Sequence, residues 1–157
     1  MDAPSIEFLV FQLGKEEYAI DILKIQEIRQ YEGVIPIANS PKFIPGVITI
    51  NDAVIPLIDM RRMFNLENNE NNKLTMAIIL NLSLNRVIGI IVDSVYDVIK
   101  LEPLQIKSTP EFVTTIHNEY IQGIAMFDGR ALIILDIEKI LSVVELNALY
   151  ESISNKK

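Results

Sequence analysis

GVITINDAVIPLID, from Gly46 to Asp59, and GIAMFDGRALIILD, from Gly123 to Asp136, are two copies of one pattern, and together they decide the fold. In each copy a two-residue polar turn separates two apolar runs, and a glycine and an aspartate stand at the two ends. Asp128-Gly129 between such runs is a strong signal for a tight β-hairpin, because both central residues of a type I′ turn need a positive φ. A weaker match joins Ala19–Ile28 to Gly89–Val98. The repeat predicts two similar lobes made of strands.

Most other apolar runs are short, rich in β-branched residues and bounded by turn residues, which is typical of strands. They predict two further hairpins, which pair Ile6–Leu13 with Glu17–Ile20 and Leu74–Leu82 with Val87–Val92. Helix is predicted only in short pieces, at Ile22–Gln26, Met60–Phe64 and Asp136–Leu141, and in a C-terminal helix over Val144–Ile153. Asp59 and Asp136 stand where an N-cap is needed. The predicted fold class is therefore all-β, with short helices and a C-terminal helix.

The chain is predicted to be a single domain over residues 1–157, because this length is usual for one domain. Its two lobes are expected at roughly 6–64 and 74–141, and an exchange of strands between them is left open. Residues 65–73 (NLENNENNK) are polar and of low complexity, so we expect an exposed connector there. A Pro-x-Phe stands ahead of each copy of the pattern, at Pro41–Phe43 and at Pro110–Phe112.

Composition excludes several classes of protein. The net charge is −7, whereas a nucleic-acid or anionic-membrane surface calls for a patch of Lys and Arg. The chain has no cysteine, so disulfides and thiolate metal sites are excluded. Its apolar runs are shorter than the roughly 18–20 residues that span a bilayer. The first residues contain Asp2 and Glu7 and lack the basic region of a secretory signal. We therefore expect a cytoplasmic protein with no nucleic-acid partner and no direct membrane insertion.

Catalytic and metal-binding patterns are almost absent from the sequence. His117 is the only histidine, and without a second His or a Cys it cannot build the common zinc or nucleophilic sites. Asp93 and Asp97 lie near Tyr96, so a small-molecule or catalytic pocket at these three residues remains an alternative. The sequence otherwise predicts no catalytic residue, no metal and no cofactor. Two apolar β lobes favour an interaction module, because strand edges and apolar grooves commonly bind protein partners.

Several stretches, taken in order, resemble the CheW family of chemotaxis coupling proteins. They are FLVFQLGKEEYAIDILKIQEIR (Phe8–Arg29), IANSPKFIPGV (Ile37–Val47), VIGIIVDSVYDV (Val87–Val98), EYIQG (Glu119–Gly123) and LIILDIEKIL (Leu132–Leu141). The resemblance covers about residues 7 to 147. No single short motif is decisive, whereas the ordered set is highly specific.

The resemblance implies two SH3-like five-stranded β-barrel lobes packed around a shared core, and a role without catalysis or cofactors. Proteins of this family contact the cytoplasmic tip of methyl-accepting chemoreceptors and, separately, the regulatory domain of the CheA histidine kinase. That kinase domain is similar in fold, so lobe-to-lobe pairing can build extended arrays, and self-association in array rings is also implied. The expected location is the cytoplasm, with recruitment to membrane chemoreceptor arrays.

The resemblance also implies the residues that bind partners, around an apolar groove that would take a helical receptor tip. They are Ile25, Glu27, Gly46, Asn51, Asp52, Gly89, Val95 and Val98. The sequence departs from the family at Thr49–Asp52, where Asn-Leu-Arg-Gly is usual, and at Pro36, where Arg is common. Asn51 cannot supply the charge with which the family Arg pairs with an acidic residue at the position of Glu27. An adaptor of the same fold that serves another receptor–kinase system remains open.

Overall fold

A computed structural model of the protein describes residues 4–64, 66, 70–108 and 120–140. Most of this part is strand, as the sequence predicts. The strands are β1 (Ile6–Leu13), β2 (Glu16–Asp21), β3 (Ile25–Gln30), β4 (Gly46–Ile50), β5 (Ala53–Asp59), β6 (Met76–Leu82), β7 (Arg86–Val92), β8 (Ser94–Leu101), β9 (Ile106–Lys107), β10 (Ile121–Phe127) and β11 (Arg130–Leu135). The helical segments are α1 (Met60–Met63), α2 (Ile137–Ile140) and the 3₁₀ turns Ile22–Lys24, Ser83–Asn85 and Pro103–Gln105.

The strands form two sheets, and each sheet takes strands from both halves of the sequence. One sheet has six strands in the order β8-β1-β2-β11-β10-β9, and the other has five in the order β3-β6-β7-β5-β4. The chain crosses from the six-stranded to the five-stranded sheet after β2, and it crosses back after β7. The sequence halves 6–64 and 74–141 therefore do not form separate sheets, because each half contributes a hairpin to the other.

The strand pairing follows the internal repeat. β5 is parallel to β7, with Leu57 opposite Gly89, and β11 is parallel to β2, with Ile134 opposite Ala19. The sequence alignment of the repeat matches Leu57 with Ile134 and Gly89 with Ala19, so it places the same contact in both lobes. The predicted repeat is confirmed by this register.

A main-chain hydrogen bond marks the start of each repeated helix. The N–H of Asp59 donates to the carbonyl of Phe43 over 2.7 Å, and the N–H of Asp136 donates to the carbonyl of Tyr120 over 3.0 Å. The residue equivalent to Phe43 is therefore Tyr120. The second Pro-x-Phe, at residues 110–112, lies outside the described part of the chain.

The predicted turns and caps are confirmed. φ is +49° at Asn51 and +66° at Asp52, and it is +50° at Asp128 and +75° at Gly129, as a type I′ turn requires. The Asp59 side chain accepts from the N–H of Arg61, the second residue of α1. The segment predicted as helical at Ile22–Gln26 ends two residues earlier than expected, because β3 begins at Ile25. The C-terminal helix predicted over 144–153 lies outside the described residues.

Apolar side chains fill three layers. Successive side chains of a strand point to opposite faces, so Leu9 and Phe11 of β1 enter a core between the two sheets, and Phe8 and Val10 enter a second core. The first of these cores, here called the shared core, contains residues from both sheets, including Tyr18. The third core covers the other face of the five-stranded sheet. A shared core between two lobes is what the family resemblance implied.

No helix in the described ranges is long and apolar enough to cross a membrane.

Candidate partner-binding surface

Three of the predicted partner-binding residues lie in one row across the five-stranded sheet. Glu27 on β3 is opposite Ile79, Ile79 is opposite Gly89, Gly89 is opposite Leu57, and Leu57 is opposite Gly46 on β4. Residues in one row of a sheet direct their side chains to the same face. The row therefore places Glu27, Gly89 and Gly46 on one face of the sheet, on strands β3, β7 and β4, although they are far apart in the sequence.

Gly46 and Gly89 shape this face and leave no space for a side chain. A Cβ atom on Gly46 would overlap the carbonyl oxygen of Ile35, and one on Gly89 would overlap the side chain of Leu57. Both glycines are buried. Their place in the candidate site is therefore one of close backbone and side-chain packing, which only glycine permits here.

Glu27 has a cation beside it that the sequence did not indicate. Its Oε2 accepts from Nη2 of Arg29 over 3.3 Å, and both side chains are partly exposed. Successive odd positions of a strand share a face, so Arg29 lies next to Glu27 on the row side of β3. Glu27 therefore has an arginine partner on its own strand.

The remaining predicted residues on strands lie at the edges of both sheets. Ile25 begins β3 and Val95 lies near the start of β8, and both pack against the shared core. Ile28 of β3 and Val98 of β8 are 39% and 43% exposed. These two residues are equivalent in the repeat, and β3 and β8 are edge strands of their sheets. Val95 and Val98 therefore belong to a different sheet from Glu27, and the shared core lies between the two groups.

The Asn51–Asp52 turn is exposed at the end of the β4–β5 hairpin. Pro36, the other departure from the family, follows Ile35, which forms an isolated bridge with Val47 of β4. Both departures are thus close to strand β4, the edge of the five-stranded sheet opposite β3.

At the alternative site, Asp93, Tyr96 and Asp97 each make a separate contact. One Asp93 oxygen accepts from the main-chain N–H of Gly14 over 2.7 Å, so Asp93 holds the β1–β2 turn. The Tyr96 hydroxyl bonds to the side chain of Gln12, and Asp97 accepts from the N–H of Val98. Within the ranges that the structure describes, no three His, Asp or Glu side chains come together as a metal site.

A cavity of about 480 Å³ opens elsewhere, on the row side of the five-stranded sheet. Its walls are Arg29, Gln30, Tyr31, Glu32, Gly33, Ile48, Leu57 and Ala77. The cavity could not be predicted from the sequence, because its apolar floor and polar rim come from segments that are distant in the chain.

A group of charges, here called the Arg61 cluster (Asp59, Arg61 and Asp93), joins the two sheets; Asp59 and Arg61 are buried and Asp93 is partly exposed. Nε of Arg61 donates to Asp59 over 2.9 Å, and Nη1 donates to Asp93 over 3.4 Å. The Arg61 side chain is only 2% exposed. Burial disfavours its charge, but the hydrogen bond and the negative charge of Asp59 outweigh burial and raise the pKa of Arg61.

The same arginine holds the end of the connector. Nη2 of Arg61 donates to the side chain of Asn71 over 2.6 Å, and Nη1 approaches the carbonyl of Glu70 at 3.4 Å. The described connector residues 70–73 are exposed, as expected. The sequence predicted Asp59 only as a helix cap and missed Arg61, because an arginine in a short helix is usually a surface residue.

A second group, here called the Glu138 cluster (Lys24, Ser83 and Glu138), stands at the equivalent place in the other lobe. Oε2 of Glu138 accepts from Nζ of Lys24 over 3.0 Å, from the N–H of Ser83 over 2.9 Å and from its hydroxyl over 3.0 Å. Burial opposes ionisation of the carboxyl, but the bonds from Lys24 and Ser83 outweigh it and lower the pKa of Glu138. Asp136 caps this helix as Asp59 caps the first.

Two sheets joined around a shared core, with aliphatic side chains on the edge strands, define a two-lobed β-sheet interaction domain. A family model described as the CheW-like domain matches residues 7–145. The chain belongs to the CheW-like domain family.

Individual relatives agree with this membership. The chain is 47% identical over 140 residues to the chemotaxis protein CheW of Klebsiella aerogenes, covering 89% of this chain and 84% of that protein. It is 33% identical over 147 residues to the chemotaxis protein CheW of Treponema pallidum, covering 91% and 86%. The crystal structure of the scaffolding protein TtCheW from Thermoanaerobacter tengcongensis is similar with a TM-score of 0.81 at 30% identity, covering 90% of this chain and 91% of that one.

These relatives confirm the fold class and the general function that the resemblance implied. The protein is an adaptor of chemotaxis signalling, and its family is one of scaffold proteins.

Proposed function

We propose that the protein joins the cytoplasmic tip of a methyl-accepting chemoreceptor to the regulatory domain of a CheA-type histidine kinase, and that it does so without catalysis. One observation carries the proposal. The edge strands β3 and β8 present repeat-related aliphatic side chains, Ile28 and Val98, at the border of the shared core.

The receptor tip is proposed to bind across these two strands. Ile28 and Val98 are exposed, while Ile25 and Val95 beside them pack against the shared core. An amphipathic helix binds such a surface by laying its apolar face against the aliphatic side chains. The Glu27–Arg29 ion pair is partly exposed, so little free energy is lost when one of its partners is replaced by a charged group of the receptor.

The kinase domain is proposed to bind a different surface, so that both partners can be held at once. This part of the proposal rests on family membership, since the family's kinase partner has lobes of similar fold. Simultaneous binding is what would recruit the protein to membrane receptor arrays, and pairing between like lobes would allow it to join array rings.

The first experiment titrates the full chain with a CheA regulatory domain and with a receptor-tip fragment. We expect binding to each partner and a rise in kinase activity only when all three proteins are mixed. Binding to neither partner would contradict the proposal and direct attention to another receptor–kinase system.

A matched pair of variants tests the location of the receptor surface. Val98→Asp adds a charge to the proposed surface, and Met126→Asp adds the same charge to an exposed apolar residue on β10 of the same sheet. We expect the first change to lower receptor affinity by about tenfold or more, because it leaves a carboxylate in an apolar contact. Met126→Asp should change receptor affinity little. Equal losses in both variants would show that the receptor binds elsewhere.

Asn51→Arg tests the departure from the family pattern. The family pattern implies an ion pair between an arginine at this position and Glu27. A partly exposed pair is worth about 0–1 kcal/mol, so receptor affinity should rise by no more than about fivefold. Unchanged affinity for both the receptor fragment and the kinase domain would mean that Asn51 is a neutral replacement.

A further inference from the structure

The chain passes between the two sheets at two equivalent points. After β2 it crosses through the 3₁₀ turn Ile22–Lys24 into β3, and after β7 it crosses through Asp93 into β8. The strands that follow these crossings are the two that carry Ile28 and Val98. The position of each crossing therefore fixes where its edge strand begins.

Each crossing is held by the second residue of a short helix from the other half of the sequence. Arg61 of α1 contacts Asp93 at the second crossing, and Asp93 in turn binds the N–H of Gly14 in the β1–β2 turn. Glu138 of α2 contacts Lys24 at the first crossing, and it also binds the N–H of Ser83 in the β6–β7 turn. In both cases the contacts connect the two sheets.

The two arrangements differ in their exposure to solvent. The Arg61 side chain is 2% exposed, whereas the Lys24 side chain is 36% exposed. Arg61 also binds Asp59 and Asn71, so its position is fixed by several partners. Lys24 is a flexible side chain held near one carboxylate. The first crossing is therefore the one that a modest change can release.

We propose that Lys24 and Glu138 are positioning residues for the receptor surface: they hold the crossing that leads into β3 and so keep Ile25, Glu27 and Ile28 in place relative to the side chains of β8. This inference rests on the proposed function for its receptor, but the geometry of the crossing does not depend on it. Neither residue needs to touch the receptor.

Amide hydrogen exchange of the full chain gives a test that needs no partner. In Glu138→Gln and in Lys24→Met, exchange in β3 should become several-fold faster, while exchange in β8 stays unchanged. Lys139→Met is the matched control, because Lys139 lies on the same helix and its ammonium group comes no closer than 4.0 Å to the carboxylate of Asp136. This change should leave exchange in β3 unchanged. Exchange in Lys24→Arg should stay close to that of the wild type, because arginine keeps the ion pair.

Affinity measurements complete the test. Both disruptive variants should bind the receptor-tip fragment about two- to fivefold more weakly and bind the kinase domain as the wild type does, in line with the modest strength of partly exposed ion pairs. The double variant should bind the receptor-tip fragment no more weakly than either single variant does. Equal loss of both affinities would indicate a general structural effect and overturn the inference.

The two ways of failing can be told apart. If the wild-type chain does not bind the receptor fragment, the proposed function fails and the receptor role of this pair fails with it. If the wild type binds the receptor fragment and both variants bind it as tightly as the wild type does, the proposed function stands and the positioning role is overturned. The same holds if exchange in β3 does not change in the variants.

Discussion

The Arg61 cluster and the Glu138 cluster stand at equivalent places in the two lobes, yet their charges are reversed. In each, an aspartate caps a short helix, and the second helical residue reaches across to the other sheet. One lobe uses a buried cation between carboxylates, and the other uses a partly exposed carboxylate beside a lysine. The repeat therefore retains backbone features, namely the cap, the helix and the crossing, whereas the sign and the burial of the charge differ.

This difference has an energetic consequence. A buried charge that loses its partner is costly, because its desolvation is no longer offset. A partly exposed pair contributes little, because water already solvates both groups well. We therefore expect the stability of the two lobes to depend very differently on charge.

The largest expected effect is that of Arg61→Met. It removes the buried cation of Asp59 and leaves only the more distant Arg62, and we expect a loss of about 3–5 kcal/mol in the free energy of unfolding. Arg62→Met is the control, because the Arg62 side chain is about half exposed and comes no closer to Asp59 than 3.6 Å. Urea denaturation of both variants measures the contrast. Similar losses of unfolding free energy in the two variants would mean that the burial of Arg61 does not make its ion pairs more important for stability.

The next effect concerns Gly89→Ala. The equivalent residue in the other lobe is Ala19, which is accommodated opposite Ile134, whereas a Cβ on Gly89 would overlap Leu57 and lie 3.0 Å from Cδ1 of Ile79. We expect a loss of about 1–3 kcal/mol from overpacking. Adding Leu57→Ile recreates the residue pair of the other lobe and should recover part of the loss in the same denaturation assay. No recovery would show that the lobes pack differently despite their common register.

A smaller effect is expected from Glu138→Gln, and it should depend on pH. Because the folded pKa of Glu138 is below its ordinary value of 4.5, its contribution to stability is present above that value and is lost as the pH falls through the folded pKa. The variant should be less stable than wild type by under about 1 kcal/mol at pH 7. The difference should disappear as unfolding is measured at successively lower pH below 4.5. A difference that persists at the lowest pH would rule out the ionised carboxyl as its source.

The smallest effect is expected from Tyr18→Phe. The Tyr18 hydroxyl is buried without a hydrogen-bond partner among the residues described, and burial raises its pKa. The equivalent position in the other lobe, Ile88, carries no polar atom at all. Removing the hydroxyl retains the stacking on Phe11 and should leave stability unchanged or raise it by up to about 1 kcal/mol. A clear loss of stability would mean that the hydroxyl does have a bonding partner.

The local features of the fold could be predicted because short-range physics determines them. The Asp128-Gly129 turn, the Asn51-Asp52 turn and the cap at Asp59 each follow from which residues tolerate a positive φ or bind a free N–H. The partners of the strands could not be predicted in this way. The alternation of apolar residues shows which face of β2 is buried but not that β11 will be its neighbour.

The candidate site was predictable only in part, and for the same reason. The resemblance pointed to Gly46 and Gly89, but only the three-dimensional register shows that they lie in one row with Glu27 and that they act through packing. Arg29 and Arg61 look like ordinary surface residues in the sequence. The role of Arg61 depends on Asp93 being brought next to it by the fold, whereas Arg29 lies beside Glu27 once this stretch forms a strand.

The exchange of hairpins between the sheets also determines when the protein can fold. Glu17 pairs with Leu132, which is far from it in the sequence, so the six-stranded sheet cannot be completed until β11 has been synthesised. Contacts of such long range slow folding, because the chain entropy of closing the loop is lost before the contact stabilises the structure. Until then β2 has a free edge that another growing chain can pair with. The arrangement that connects the two lobes so closely in the finished adaptor thus makes the newly made β1–β2 hairpin dependent on the later synthesis of β11.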